Sequence, residues 1–470
     1  MFTQYTYNDW LTADDRLDLL LRIITAYKAS RDFRYGLLAQ KYFRGANEEV
    51  LNKMLIQAKP YEVKDEKGRV THFSKEVHVR GAQLPTNFFR RAVLQQNQYL
   101  LGNGVTLDKA PSKEKLGFGF DKALEAIGKH ALVQGVCWGY WNNDHLEVFP
   151  AAVDNGSGFF ALLDEMAGTP MLGVQFWQID EKRPMYVRLF EVDGVTVYIK
   201  DKDSATLKEH IAKRAYKQTV SVDAAGERLV DAQNYSTLPV VPLFANDEQE
   251  SELRPSIKEK IDAYDRIFSD FGDNLDRAND VYWVLNNFGG NIKDALEITQ
   301  QIQQLKLILN QTDGTGSGST AAPHTIEVPY QARQTALEIL RKELYADFMA
   351  LDMDALTGGS RTNVAIKAAM VNFDLKANDY EWQCFRFVQN VLALNGIKTE
   401  DIQFKRQTLV NESETIQNIY LAAADLSRRK RLELNPMISA DEIDKIMTDA
   451  DLEDVTGSDT PNLPREFMEE

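Results

Sequence analysis

Between Ser256 and Leu275 the residues Ile257, Ile261, Tyr264, Phe268, Phe271 and Leu275 recur at alternating four- and three-residue steps, the spacing of one face of an α-helix. Pro255-Ser256 and a Ser256-x-x-Glu259 capping box mark its start. A helix from Ser256 to Asp280 would run roughly 37 Å at about 1.5 Å per residue. That is a strut, too long for the core of a small domain, and it constrains what can stand on either side of it.

Upstream, Pro239-Val240-Val241-Pro242-Leu243-Phe244 reads as an edge strand followed by an acidic linker, because proline gives a ladder no donor. Downstream a compact α/β unit is predicted. It comprises a strand at Val281–Leu285, a turn at Asn287-Phe288-Gly289-Gly290, a helix at Ile292–Gln304, a strand at Leu305–Leu309, a flexible Gly/Ser tip at Asp313–Ser319 and a third strand at Thr325–Val328. A second strut follows from about Arg333 to Met353, with Leu337, Leu340, Leu344, Phe348 and Leu351 at helical spacing. Leu356-Thr357-Gly358-Gly359-Ser360-Arg361-Thr362-Asn363 breaks it, and another long helix begins at once with Val364, Ala368, Val371, Leu375, Trp382, Phe385, Val388 and Leu392. No proline lies between Pro329 and Pro436, so nothing covalent interrupts helices there.

The region before about Asn246 is an α+β body. Helices are expected over Asp14–Tyr42, Asn87–Leu101 and Phe120–Gln134, and strands over Tyr186–Glu191 and Val195–Ile199 around the Asp193-Gly194 turn. The C-terminal block offers a strand at Ile402–Lys405, a helix over Glu412–Leu426, the basic run Arg428-Arg429-Lys430-Arg431, a helix near Ala440–Met447 and an acidic tail. A length of 470 residues implies two to four domains. The net charge of −16 argues against a sequence-reading DNA binder, which needs clustered Lys and Arg. Cys137 and Cys384 stand far apart in apolar surroundings and read as buried reduced thiols. The N-terminus has no basic and apolar leader, and no window approaches a membrane span.

Enzyme signatures do not emerge. The six histidines, His72, His78, His130, His145, His210 and His324, are scattered without a His-Glu-x-x-His or Cys/His cluster, so no metal or cofactor is expected. Gly102-Asn103-Gly104 and Gly135-Val136-Cys137-Trp138-Gly139 lack the context of a dinucleotide-binding turn, and Asp164-Glu165 and Asp352-x-Asp354 are explained by the abundance of acids.

The order of these segments resembles the portal proteins of tailed bacteriophages, specifically the siphophage portal family. The resemblance rests on Asn246 with its acidic linker, Ile261-Asp262-Ala263-Tyr264 and Ser269-Asp270, Phe288-Gly289-Gly290, and Thr357-Gly358-Gly359-Ser360 ahead of the long helix. Upstream, Tyr42-Phe43-Arg44-Gly45, Asn97 to Thr106 and Ala131-Leu132-Val133-Gln134-Gly135 agree in order. It implies a helix-rich α+β portal fold: wing 1–246, first stem helix 247–280, α/β clip 281–330, second stem helix 331–355, tunnel loop 356–363, a long wing helix and strand 364–411, and a crown with acidic tail 412–470. It also implies a ring, twelve copies being the family's assembled state, at one capsid vertex of the virion, assembled in the host bacterial cytoplasm. Double-stranded DNA would pass through non-specifically, and terminase, capsid and scaffolding proteins and a head-completion adaptor would be partners.

Within that frame Leu356 to Asn363 would project into the channel, although on residue content alone the loop is an ordinary interhelical turn. Between Asn246 and Asp280 there are eleven acidic residues against five basic ones, which for a lone helix is a solvated face. Ringed around a pore, Asp262, Asp265, Asp273 and Asp276 would repel phosphates and let DNA slide. Ile257, Ile261, Tyr264, Phe268, Phe271 and Leu275 would pack the stem. Arg428 to Arg431 would meet DNA at the crown or pair with the tail, where eleven acids face two bases between Ser439 and Glu470. Two other classes stay open: a different head-closure or tail adaptor protein, and an enzyme with its site in the N-terminal body.

Overall fold

The computed structural model describes residues 3–64, 70–107, 113–222, 228–278, 282–286, 320–324, 330–353, 363–398 and 401–406, with short pieces between 417 and 447. The described helices are α1 (Tyr7–Thr12), α2 (Arg16–Ala29), α3 (Arg31–Phe43), α4 (Glu48–Leu51), α5 (Phe88–Leu101), α6 (Phe120–Gln134), α7 (Pro255–Ala278), α8 (Tyr330–Asp347), α9 (Asn363–Leu394) and α10 (Arg428–Leu434). The architecture is α+β, as the periodicities imply.

Four local differences from the sequence reading have physical causes. The helix expected over Asp14–Tyr42 is two helices, because Ser30 is extended (ψ 152°), returns its N–H to Tyr27 O and caps α3 by accepting from Phe33 N–H at 3.2 Å. Helix α7 opens on Pro255, not on a Ser256 cap: Lys258 N–H donates to Arg254 O, so Arg254 is the capping residue and proline takes the first helical position, where no donor is needed. Helix α8 starts earlier and stops earlier than expected, at Asp347, just before Met349 turns to φ 49°. The strand after the Gly/Ser tip is Thr320–His324, five residues before the expected Thr325–Val328, which lies outside the described residues. The turn at Asn287–Gly290, the helix at Ile292–Gln304, the strand at Leu305–Leu309 and the tip at Asp313–Ser319 lie outside them too.

Sixteen strands among the described residues form small antiparallel sheets. β6 (Gly158–Leu163), β7 (Pro170–Trp177), β8 (Met185–Glu191), β9 (Gly194–Lys200) and β10 (Lys208–Arg214) make a meander in the spatial order β10-β9-β8-β7-β6. β4 (Val136–Asn142) pairs on one side with β5 (His145–Pro150) and on the other with β13 (Val240–Phe244), which is the edge its prolines require. Hairpins are formed by β1 (Met54–Lys64) with β2 (Val70–Arg80) and by β11 (Lys217–Val222) with β12 (Arg228–Gln233), and β14 (Tyr282–Asn286) pairs antiparallel with β15 (Thr320–His324). Finally β16 (Ile402–Phe404) pairs with β3 (Val105–Leu107), tying the C-terminal region back to the N-terminal body.

Among the described residues a main core joins the helices to the meander and the β13-β4-β5 sheet. Aromatic side chains fill it: Trp138, Phe159, Phe149 and Phe190 lie ring to ring at 5.3–6.0 Å, and Tyr27 bridges Phe33 and Phe160. Helix α6 runs through the middle, with Leu124, Ile127, Ala131 and Leu132 fully buried. Cys137 and Cys384 are both buried and free, and burial pushes both thiols up. Where α6 meets α9, Gly128 allows the approach: a Cβ there would sit 2.3 Å from Tyr380 Oη and 2.5 Å from Asn97 Oδ1, which themselves hydrogen-bond at 3.1 Å. Tyr380 is buried and cannot swing away. Gly128→Ala is therefore expected to cost about 1–3 kcal/mol through overpacking, read as a lowered denaturation midpoint; an unchanged midpoint would contradict this packing.

Candidate functional site: the paired helices and their anchor

Helices α7 and α8 run antiparallel. Near the start of α7, Lys260 pairs with Glu343 (3.2 Å) and Asp347 (2.7 Å) at the end of α8; ten residues on, Phe271 packs on Tyr330 at 5.8 Å and Asp270 O accepts from Arg333 at 3.3 Å. The antiparallel β14–β15 pair lies in the sequence between them. Of the apolar stripe, Ile257 and Ile261 enter the main core. Tyr264 packs on Phe88 at 5.1 Å, whereas Phe268 and Leu275 remain 37% and 43% exposed. The stripe thus packs at its N-terminal end and emerges towards the far end.

The opposite outcome holds for the carboxylates. Asp262, Asp265, Ser269 and Asp273 recur at three- and four-residue steps and are all buried, Asp265 and Ser269 completely. This row holds an extended segment of the body: Thr86 N–H donates to Asp265 Oδ1 at 3.0 Å, Leu84 N–H to Ser269 Oγ at 3.1 Å, and Ala82 N–H to Asp273 Oδ1 at 2.6 Å. Alternate amides of the segment meet successive turns of the helix. Tyr42 OH donates to Asp262 Oδ1 at 2.5 Å, and Lys258 reaches its other oxygen at 2.6 Å. Lys53 bridges Asp273 and Asp270 at 2.6 and 2.7 Å, and Asn47 Nδ2 donates to Asp265. The expectation that Asp262, Asp265 and Asp273 line a channel is corrected: in the single chain they are turned into the protein's own body, where Asp265 and Asp273 accept from the 82–86 amides and Asp262 from Tyr42 and Lys258. The side chain of Asp276 is outside the described residues.

Electrostatics follow from this burial. Desolvation pushes the Asp265 carboxyl above its ordinary value, while the bonds from Thr86 and Asn47 pull the other way. Burial would lower Lys53, but its two carboxylate partners raise it.

The remaining site candidates are placed as follows. Residues Leu356 to Thr362 lie outside the described residues, and Asn363 is the first residue of α9. Both flanks of the loop are fastened to α5. Gln95 exchanges hydrogen bonds with the Leu351 backbone (3.1 and 3.3 Å), and one turn on Tyr99 donates to Asp374 at 2.5 Å and packs on Phe373 at 4.8 Å. Lys376 closes the span with a 2.9 Å bond to Phe348 O. Arg428, Arg429 and Lys430 are exposed and Arg431 half-buried on the seven-residue α10, opened by Ser427 Oγ accepting from Lys430 N–H at 3.3 Å. The anchoring row was missed from sequence although its signal was present: Ser269 stands in register with the aspartates.

Among the described residues no helix is long and apolar enough to cross a membrane. The class is α+β, with an antiparallel helix pair fastened along the body, and comparison with known proteins gives the family. The family model described as "Phage portal protein, SPP1 Gp6-like" matches residues 30–454, and the chain belongs to that family, a structural one. The portal protein of Clostridium phage phiCD119 is 30% identical over 151 residues, 32% of this chain and 33% of that protein. The portal protein of Bacillus phage SPP1 is 26% identical over 223 residues, 44% of this chain and 43% of that protein. The matched stretches thus span less than half of either relative.

The buried row yields a paired test. In Asp265→Asn the new amide keeps an acceptor for Thr86 N–H, and Asn47, whose Oδ1 has no partner, can flip to accept the new N–H. Its cost should stay below about 1 kcal/mol, whereas Asp265→Ala strands two buried donors and should cost about 1–3 kcal/mol. A raised folded-state value means the folded chain binds the proton more readily, so this group's contribution is full below its ordinary 3.8 and is lost as pH rises through the raised value. The stability of wild type relative to Asp265→Asn should therefore increase as pH falls through that window. Denaturant titrations at several pH values check both statements, and equal costs for the two variants would contradict the anchor.

Proposed function

We propose that the chain assembles into a ring that serves as the portal channel at one capsid vertex, through which double-stranded DNA is packaged, retained and later ejected. The observation that carries this reading is the family match over residues 30–454, with the antiparallel α7/α8 pair and the β14–β15 strand pair between its helices standing in the order a stem and clip require. In this reading the body to residue 246, with α9 and β16, is the wing; α7 and α8 are the stem; residues 281–330 are the clip; and the C-terminal block is the crown. Terminase and later a head-completion adaptor would dock at the clip, and capsid and scaffolding proteins at the wing and crown. Twelve copies is the stoichiometry we infer, and the virion is its site of action after assembly in the host bacterial cytoplasm.

The exposed apolar side chains Phe268 and Leu275 on α7 support assembly, since large apolar groups at helical spacing are left in water by the single chain. Mass photometry at micromolar concentration should show one large species at a fixed multiple of 53.4 kDa, and negative-stain images should show a central hole. A monodisperse monomer would overturn the reading.

The loop Leu356 to Asn363 is proposed to face the channel. Because α5 holds both of its flanks independently, deleting Gly358-Gly359-Ser360 should leave rings intact while lowering the DNA retained in assembled heads. Retention at the wild-type level would reject the assignment.

A further inference from the structure

Two unlike apolar surfaces on the chain complement each other but cannot meet within one copy. The first is a stripe on α9. Its buried row, Phe373, Ala377, Tyr380 and Cys384, faces α5 and the sheet, whereas Val371, Leu375 and Trp382, about 180° around the helix at about 100° per residue, are 52%, 57% and 56% exposed. Trp382 is held flat on Phe385, ring to ring at 5.5 Å and 5°, so it is pre-positioned. Beside the stripe lies an acidic group. Asp379 is pushed up by partial burial and by Asp247, Glu248 and Glu252. Of these, Glu252 is matched by Lys376 and Asp247 accepts from Gln383.

The second surface is a cleft of about 370 Å³ between α5 and the end of α8, lined by Phe88, Ala92, Tyr345, Phe348 and Met353. Arg91 stands on its rim, laid over the Phe88 ring at 5.6 Å. The other charges at the cleft, Asp352 and Arg341, pair with each other at 2.8 Å. A rigid Trp/Leu knob flanked by acid thus matches an aromatic hole rimmed by arginine, the residue types that carry interface energy.

We propose that the α9 stripe of one copy docks into the α5/α8 cleft of the next, with Asp379 and Glu248 of the first opposite Arg91 of the second. The two surfaces differ, so the contact is head-to-tail and propagates until rotation closes it into a ring. The proposal rests on the ring reading above and supplies its contact. It also places the α9 contact next to the loop flanks, since Leu351 and Phe373 both pack at α5.

Charge swapping tests it. Arg91→Glu and Asp379→Arg, each checked for a wild-type circular dichroism spectrum, should each raise the monomer fraction at micromolar concentration about tenfold or more, and the two together should restore rings. In parallel, Met353→Cys with Leu375→Cys and a short bismaleimide should give a ladder at multiples of the chain mass, which neither single cysteine gives. Wild type as a monomer would sink the ring reading itself. Wild-type rings that persist in both single charge variants, single variants that no combination rescues, or the absence of a ladder would leave the ring standing and overturn this contact.

Discussion

Alignment of the amides of residues 82–86 with the acceptors of α7 is the constraint on which the geometry of the helix pair depends. It works because two periodicities nearly coincide. Two residues of extended chain advance about 6.6 Å, and four residues of α-helix about 6.0 Å. Asp265, Ser269 and Asp273 can therefore accept from Thr86, Leu84 and Ala82 in succession, and the match drifts little over three contacts. A hydrophobic seam would tolerate sliding; directional hydrogen bonds to fixed amides do not. Orphaning any of them inside the protein costs more than the bond contributes net. The row thus fixes both the rotation of α7 about its axis and its position along it.

Position along the axis decides how much of the apolar stripe on the same helix is covered. Ile257 and Ile261 enter the core at the N-terminal end, while Phe268 and Leu275, on the same face further along, are exposed. Helix α8 covers what lies between through Lys260 with its two carboxylates and Phe271 on Tyr330. Stability along α7 consequently falls from its N-terminal to its C-terminal end, where fewer core contacts oppose local opening.

Long elements with one strong period were legible in the sequence. Helix α6 spans the residues expected, α9 begins at Asn363 as the Gly-Gly break requires, and β13 is the edge its prolines demand. The β1–β2 hairpin was not read, because Pro60 and a charged, weakly alternating composition hide two eleven-residue strands. The carboxylates of α7 were misread for a more general reason. Composition gives the charge of a helix but not which face a partner will occupy, and the partner here is 179 residues away, as Asp265 and Thr86 show. Only the shared spacing of Ser269 with its acidic neighbours marked the row as a second buried face. Ser30 divided a helix because its side chain competes for backbone donors at a cap, a preference propensity alone does not locate.

The same long-range logic governs the end of the chain. Helix α9 returns to the body through Tyr380 on Asn97, Gln383 on Asp247 and Lys376 on Glu252, and β16 then adds to β3. Chain leaving the body at Asp247 thus travels out along α7, back along α8 and through the loop, and is refastened within a few side chains of where it left. Because Glu252 precedes α7 and Lys376 follows the loop, a displacement of either helix is felt at this one salt bridge, whose partners are both largely buried. Gln95 and Tyr99, one turn apart on α5, hold the two flanks of the loop at a fixed separation. The excursion is therefore closed mechanically at its base. Force applied along the α7/α8 pair thus meets the body through directional polar contacts at 82–86 and through the α5 clamp.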